Sequence, residues 1–201
     1  MRTTWPILAT VSALLALSTT AVTAQSFAVD RGAWLVGGSA AYSSSRMDSD
    51  TTRVTYIYIS PELGYFVSRG LLVGAIIPFS HSSATGYRIT TYGVGPRVSY
   101  FFGSGPRRFY PFLTATAMLQ WTRETWVWQL DPTGTEVRET GRTQSYEVSA
   151  GVAVMLTGDV ALTGEGYLGS YHYRTQQAGS EASTSAGNAF GVRFGLSVFL
   201  H

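Results

Sequence analysis

The chain has 201 residues, no cysteine, no lysine and only 13% charged residues, against 22 Gly and an aromatic set of 12 Tyr, 10 Phe and 5 Trp. A soluble domain gives about a quarter of its residues to charge, so the deficit needs a physical cause. A disulfide scaffold, a cysteine-ligated metal site and a charged disordered tail are excluded, and a formal net charge of +2 leaves no electrostatic footprint for nucleic acid.

Met1 to Ala24 reads as a secretory signal. Arg2 gives the positive start, Ile7 to Leu17 the apolar middle, and Val22-Thr23-Ala24 the small-residue exit before Gln25. The apolar stretch is shorter than the roughly 20 residues a membrane helix needs. Cleavage after Ala24 is expected, leaving 25–201 as a single exported domain.

Every later segment alternates with a period of two, which marks strands with two unlike faces. Trp34, Val36, Ala40 and Tyr42 mark the first strand, and Ile57, Ile59, Leu63, Tyr65 and Val67 the second. Val73, Ala75, Ile77 and Phe79 mark the third. Tyr92, Val94, Pro96, Val98, Tyr100 and Phe102 mark the fourth, and Leu113 to Trp121 the fifth. Tyr146 to Leu156 is the sixth. In the seventh, Val160 to Tyr173, Gly occupies both faces and leaves the parity open. The eighth sets Phe190, Val192, Phe194, Leu196, Val198 and Leu200 against Gly191, Arg193, Gly195 and Ser197.

The connections alternate as well. Ser68-Arg69-Gly70, Gly103 to Arg108 and Thr157-Gly158-Asp159 are turn-like. Ser43 to Arg53, Ser80 to Arg88, Trp128 to Arg142 and Thr175 to Gly187 read as long polar loops. An even number of strands with short turns on one side and long loops on the other predicts an all-β fold, an eight-stranded antiparallel up-and-down transmembrane β-barrel with short periplasmic turns and longer extracellular loops.

A water-soluble barrel also alternates, but it would scatter charge along its outer face. Here only Glu62, Arg97, Glu147, Glu165 and Arg193 fall inside strand centres, all on the inward parity. Charge on a lipid face costs about 2–4 kcal/mol for Arg at the midplane. Two aromatic girdles are expected, Trp34, Tyr65, Tyr100 and Phe102 near the short turns and Tyr42, Phe79, Tyr92, Trp121 and Tyr146 near the long loops.

The hairpin pattern, the run Tyr92-Gly93-Val94-Gly95-Pro96-Arg97 and the final strand Gly191 to Leu200 resemble the small eight-stranded outer-membrane barrels typified by the membrane domain of outer-membrane protein A and by outer-membrane protein X. That family usually ends in an aromatic residue, whereas this chain ends Phe199-Leu200-His201, with Phe199 off the outward parity. The resemblance implies a bacterial outer-membrane location and a plug with internal salt bridges.

A barrel of eight strands is just wide enough for side chains to fill. The expected interior is a packed polar core of Gly, Ser and Thr with Tyr56, Tyr58, Phe112 and Met118 as filler. The five inward charges should pair, since none can sit unpaired away from water. His81 and Ser83, a His-x-Ser at the long-loop rim, resemble the His and Ser of outer-membrane lipid A deacylases, and that resemblance implies a second reading, a lipid A-modifying hydrolase; a narrow solute channel is a third. Trp126-Val127-Trp128 and the turn Asp131-Pro132-Thr133-Gly134 suggest a projecting hairpin. There Trp126 and Trp128 either anchor a surface protein partner or rest among lipopolysaccharide head groups. The reading is a non-enzymatic, monomeric barrel without cofactor or metal, in contact with outer-membrane lipid and lipopolysaccharide and serving envelope integrity or adhesion.

Overall fold

A computed structural model of the chain describes residues 28–46, 53–103, 107–127, 136–177 and 183–201. The expected signal segment, Trp128 and the expected turn Asp131 to Gly134 lie outside the described residues. Among the described residues nine strands form, all paired antiparallel: β1 Trp34–Arg46, β2 Arg53–Ser68, β3 Leu71–Ile76, β4 Phe79–Ala84, β5 Tyr87–Phe101, β6 Phe109–Val127, β7 Glu136–Met155, β8 Val160–Gln177 and β9 Ser183–Leu200.

Strands β3 and β4 together occupy one place in a ring of eight. Both lie between β2 and β5, and the two-residue interruption falls at Ile77-Pro78. Proline has no N–H to give the ladder; the Pro78 carbonyl still accepts from the Gly93 amide at 2.9 Å. Alternation runs through the break, with Ile77 and Phe79 both outward and exposed. Pairing of β1 with both β2 and β9 closes the ring.

The short turns at Arg69-Gly70 and Thr157 to Asp159 stand where they are expected. In the Arg69-Gly70 turn Gly70 has φ +76°, and a Cβ there would lie 2.5 Å from the Phe101 carbonyl oxygen, so only glycine fits. The long loops do not. Ser80 to Arg88 is a hairpin of β4 and β5 turned by residues 85–86, with Gly86 at φ +73°. Strands likewise continue to Arg46 and Gln177, and resume at Glu136 and Ser183. Thr and Tyr in these stretches favour strands, but the stretches lack an apolar face, so hydropathy marks them as loop although β-pairing continues.

The outer surface is apolar and uncovered. All nine girdle aromatics are exposed on it, with Trp34 against Tyr65, Tyr100 against Phe102, and Tyr92 stacked on Trp121. Trp34 and Tyr42 are eight residues apart, about 27 Å along a strand and about 21 Å after a tilt near 40°. That height matches the apolar band of a barrel crossing a bilayer. In β8 the open parity resolves with Leu162 and Leu168 outward and Glu165 inward.

The interior is layered, where a single packed polar core with Tyr56, Tyr58, Phe112 and Met118 as filler is expected from the sequence. Next to the short turns Leu35, Phe66, Leu72, Phe101, Tyr110, Phe112 and Phe199 form an apolar floor. Phe199 packs against Phe66 and Phe101 at 6.2 and 6.4 Å between centroids. The segment before β1 stoppers this floor: Ala28, Val29 and Ala33 are buried, the Gly70 amide donates to the Val29 carbonyl at 2.8 Å, and the Gly32 amide donates to the Phe66 carbonyl at 2.9 Å. Asp30 pairs with Arg69 at 3.0 Å on the outside of the stopper. Inward parity makes a side chain interior, not polar; close to the turns, where water has no path, aromatic filling is stable.

Candidate functional site

Above the floor, one residue from each of five strands meets in an ionic layer. Glu62 comes from β2, Arg97 from β5, Glu147 from β7, Glu165 from β8 and Arg193 from β9. Cross-strand register places Glu165 opposite Arg193, and the closed ring brings the others across the lumen. Arg97 Nη1 lies 3.0 Å from Glu62, and its Nη2 lies 3.4 Å from Glu165. Arg193 Nε donates to Glu165 at 2.5 Å, and both of its terminal nitrogens donate to Glu147, Nη1 at 3.1 Å. The five form an unbroken chain, Glu62–Arg97–Glu165–Arg193–Glu147.

Hydroxyls complete the layer. Ser149 donates to Glu165 at 2.7 Å and Ser197 to Glu62 at 3.5 Å. Arg97 Nε donates to Ser99 at 3.4 Å, and Ser99 shares a 2.8 Å hydrogen bond with Thr114. The Arg193 guanidinium also sits 4.8 Å from the Tyr167 ring centroid. Bidentate guanidinium–carboxylate geometry satisfies both partners where few waters reach. Among the described residues no group of three His, Asp or Glu side chains is arranged to hold a metal ion.

Toward the long-strand end the lumen is not filled. A cavity of about 460 Å³ opens above the layer, lined by Tyr56, Tyr58, Met118, Gln120, Glu147, Tyr167 and Arg193 among others. Tyr56 and Met118, expected as filler, are therefore wall residues of a space, whereas Phe112 belongs to the floor. The glycines of the last strands admit inward tyrosines. A Cβ on Gly191 would lie 2.8 Å from the Tyr167 hydroxyl oxygen, and one on Gly141 would lie 2.6 Å from the Tyr173 ring.

His81 and Ser83 stand on β4 with the outward parity of Phe79. His81 Nδ1 bonds Thr90 Oγ1 at 2.9 Å, across the β4–β5 ladder. Among the described residues no hydrogen bond joins His81 to Ser83. Beyond the upper girdle, β6 and β7 remain paired as far as Val127 and Glu136. From Trp121 to Val127 the hairpin gains six residues, about 20 Å along the strand. Trp126 packs on Tyr87 at 4.2 Å, and the Tyr173 hydroxyl donates to Glu124 at 3.2 Å. Burial and the Glu124 charge push the Tyr173 hydroxyl up to about 12.

A closed antiparallel ring, an apolar belt between two aromatic girdles and charges sealed inside define a membrane-spanning β-barrel of the bacterial outer-membrane type. The fold is shared with the outer membrane protein OprG of Pseudomonas aeruginosa, at 11% identity over 88% of this chain and 100% of that one, with a TM-score of 0.53. Neisserial surface protein A aligns at 16% identity over 84% of this chain and 99% of that one, TM-score 0.45. The N-terminal β-barrel domain of Pseudomonas aeruginosa OprF aligns at 9% over 85% and 98%, TM-score 0.45. At these identities the likeness is one of fold. No protein-family model matches the sequence, and no curated protein matches it.

Proposed function

We propose that the chain is a non-enzymatic structural and surface-interaction protein of the bacterial outer membrane, exported by a segment cleaved after Ala24 and working as a monomer. Its barrel anchors in outer-membrane lipid, and its long-strand end meets lipopolysaccharide and an external protein partner. The observation that carries this reading is the contrast between the two ends. The short-turn end is stoppered by Val29 over the aromatic floor, which disfavours a through-channel, while β6 and β7 continue well beyond the upper girdle and display Trp126. Projecting paired strands offer backbone edges and a rigid aromatic for a partner.

Complementation tests the reading. In cells lacking the chain, a version with the β6–β7 hairpin shortened to Trp121 and Arg142 restores detergent resistance but not surface attachment. Full restoration of attachment by the shortened version contradicts the role given to the hairpin. Steady single-channel steps in planar bilayers contradict the closed floor.

A further inference from the structure

The ring closes unevenly. Strands β1 and β9 pair only over Trp34 to Gly38 against Leu196 to Leu200, whereas β1 pairs with β2 over its whole length and β8 with β9 as far as Thr175 and Ser183. Continued in register, Ser39 to Tyr42 would face Gly195 to Val192; among the described residues no ladder joins them. The divergence starts at Gly38, whose φ is +151° and where a Cβ would lie 2.5 Å from the Ser60 carbonyl oxygen, a conformation and a contact that only glycine accepts. On the other side of the gap Val192 and Phe194 are 73% and 68% exposed, against 42% for Leu196 where pairing resumes.

This gap lies between Gly38 and the girdle residue Tyr42, in the outer half of the apolar belt. Backbone without a strand partner is tolerated at membrane depth only where it lines a polar space. Such a space lies directly behind it: the upper cavity reaches Ser39, Ala40, Ala41, Val192 and Phe194. On the outside a groove runs along the same seam and shares Ser39, Ala40 and Phe194 with the cavity. Cavity and lipid-facing groove thus meet at one set of residues.

We propose that the β1–β9 seam is a lateral port through which a small uncharged amphiphile, one hydroxyl-type head on a single hydrocarbon tail, passes between the outer leaflet and the upper cavity. The lining chooses this chemistry. Ala40, Val192 and Phe194 at the port and Met118 within suit a tail, and the Tyr56, Tyr58 and Gln120 side chains offer donors and acceptors to a head. Arg193 and Glu147, the charged groups that line the cavity, are already engaged with each other, so neither is free to serve as counter-ion, and a charged head would enter at the full cost of its desolvation. The floor and ionic layer below stop onward passage, so the port exchanges its ligand between membrane and exterior without opening a route across the membrane.

The test uses the chain purified from membranes and placed in lipid nanodiscs, with amide resonances followed by NMR as 1-decanol, decanoate or decylammonium is added. Saturable shifts at Ser39 to Ala41 and Val192 to Phe194 with 1-decanol are expected, and the charged analogues bind at least about tenfold more weakly. Ala41→Trp at the lip and Met118→Trp in the far wall each weaken 1-decanol binding by about tenfold or more, with folding checked by heat-modifiable gel migration. If one variant fails to fold, the other decides. Absence of saturable shifts at the seam, equal binding of all three probes, or full binding by a folded tryptophan variant overturns the proposal.

Discussion

Arg193 and Glu165 both sit in the centre of the ionic layer, yet removing one should cost far more than removing the other. With three carboxylates and two guanidiniums the layer carries a formal charge of −1. Arg193→Met takes away the donors to Glu165 and both donors to Glu147. It moves the layer to −2 and leaves Glu165 with Arg97, at 3.4 Å, as its cationic partner and with the Ser149 hydroxyl. Stranding a buried charge in this way costs about 3–5 kcal/mol. Glu165→Gln brings the layer to neutrality, and the pairs Arg97–Glu62 and Arg193–Glu147 survive. The amide keeps one acceptor oxygen for Arg193 and turns its NH2 toward Ser149 Oγ, so the 3.4 Å bond from Arg97 and the charge component of the others are lost, about 1–2 kcal/mol. In the double variant Arg193→Met/Glu147→Gln the charge returns to −1, and about 2 kcal/mol of the Arg193→Met loss should be regained. Urea midpoints in lipid vesicles, read from the folded and unfolded gel bands, give all three values. If Arg193→Met and Glu165→Gln agree within about 0.5 kcal/mol, or the double variant is no more stable than Arg193→Met, the layer does not work as a charge-balanced network.

Phe199→Ala opens the floor beneath Phe66 and Phe101 and should destabilise the barrel by about 3–5 kcal/mol in the same assay; a change below about 1 kcal/mol contradicts tight packing there. Val148→Arg, in the middle of the outer belt, should cost about 2–4 kcal/mol in vesicles, and no cost would mean that this face does not meet hydrocarbon. Because the Tyr173 proton is held to about 12 against an ordinary 10.0, the contribution of that hydroxyl is present below pH 10 and is lost as pH rises toward 12. Difference absorbance between wild type and Tyr173→Phe at pH 11 should show only about a tenth of a full phenolate signal from this residue, and a nearly full phenolate signal refutes the Glu124 contact.

The outward half of each strand was legible from alternation alone because hydrocarbon tolerates only apolar side chains there; Trp34, Val98, Val148 and Phe194 all face out as their parity requires. The five inward charges were legible for the same reason, since each stands alone in an otherwise uncharged strand centre. What hydropathy hid was the rest of the inward face. Phe66, Leu72, Phe101, Tyr110 and Phe112 share inward parity and stand within a few residues of a short turn, and Leu35 and Phe199 face each other where the first and last strands pair at the same end, a pattern that announces an apolar floor once turn proximity is read together with parity. Ser80 to Ala84 was hidden differently: polar strands above the membrane have no unlike faces, so nothing in their hydropathy separates them from loop. The seam depends on how far two distant segments stay in register, which no local pattern carries, although the pair Gly37-Gly38 marks where it begins.

The sidedness of the strands is tested most directly by paramagnetic accessibility. Because the chain has no native cysteine, single spin labels can be placed at outward Leu113, Val148 and Leu168 and at inward Thr114 and Ser149, in protein folded into vesicles. Outward labels should relax with dissolved oxygen and be shielded from a water-soluble nickel chelate, while inward labels respond weakly to both. Strong nickel relaxation at Leu113, Val148 and Leu168 would put water where acyl chains must be and contradict the membrane-spanning barrel.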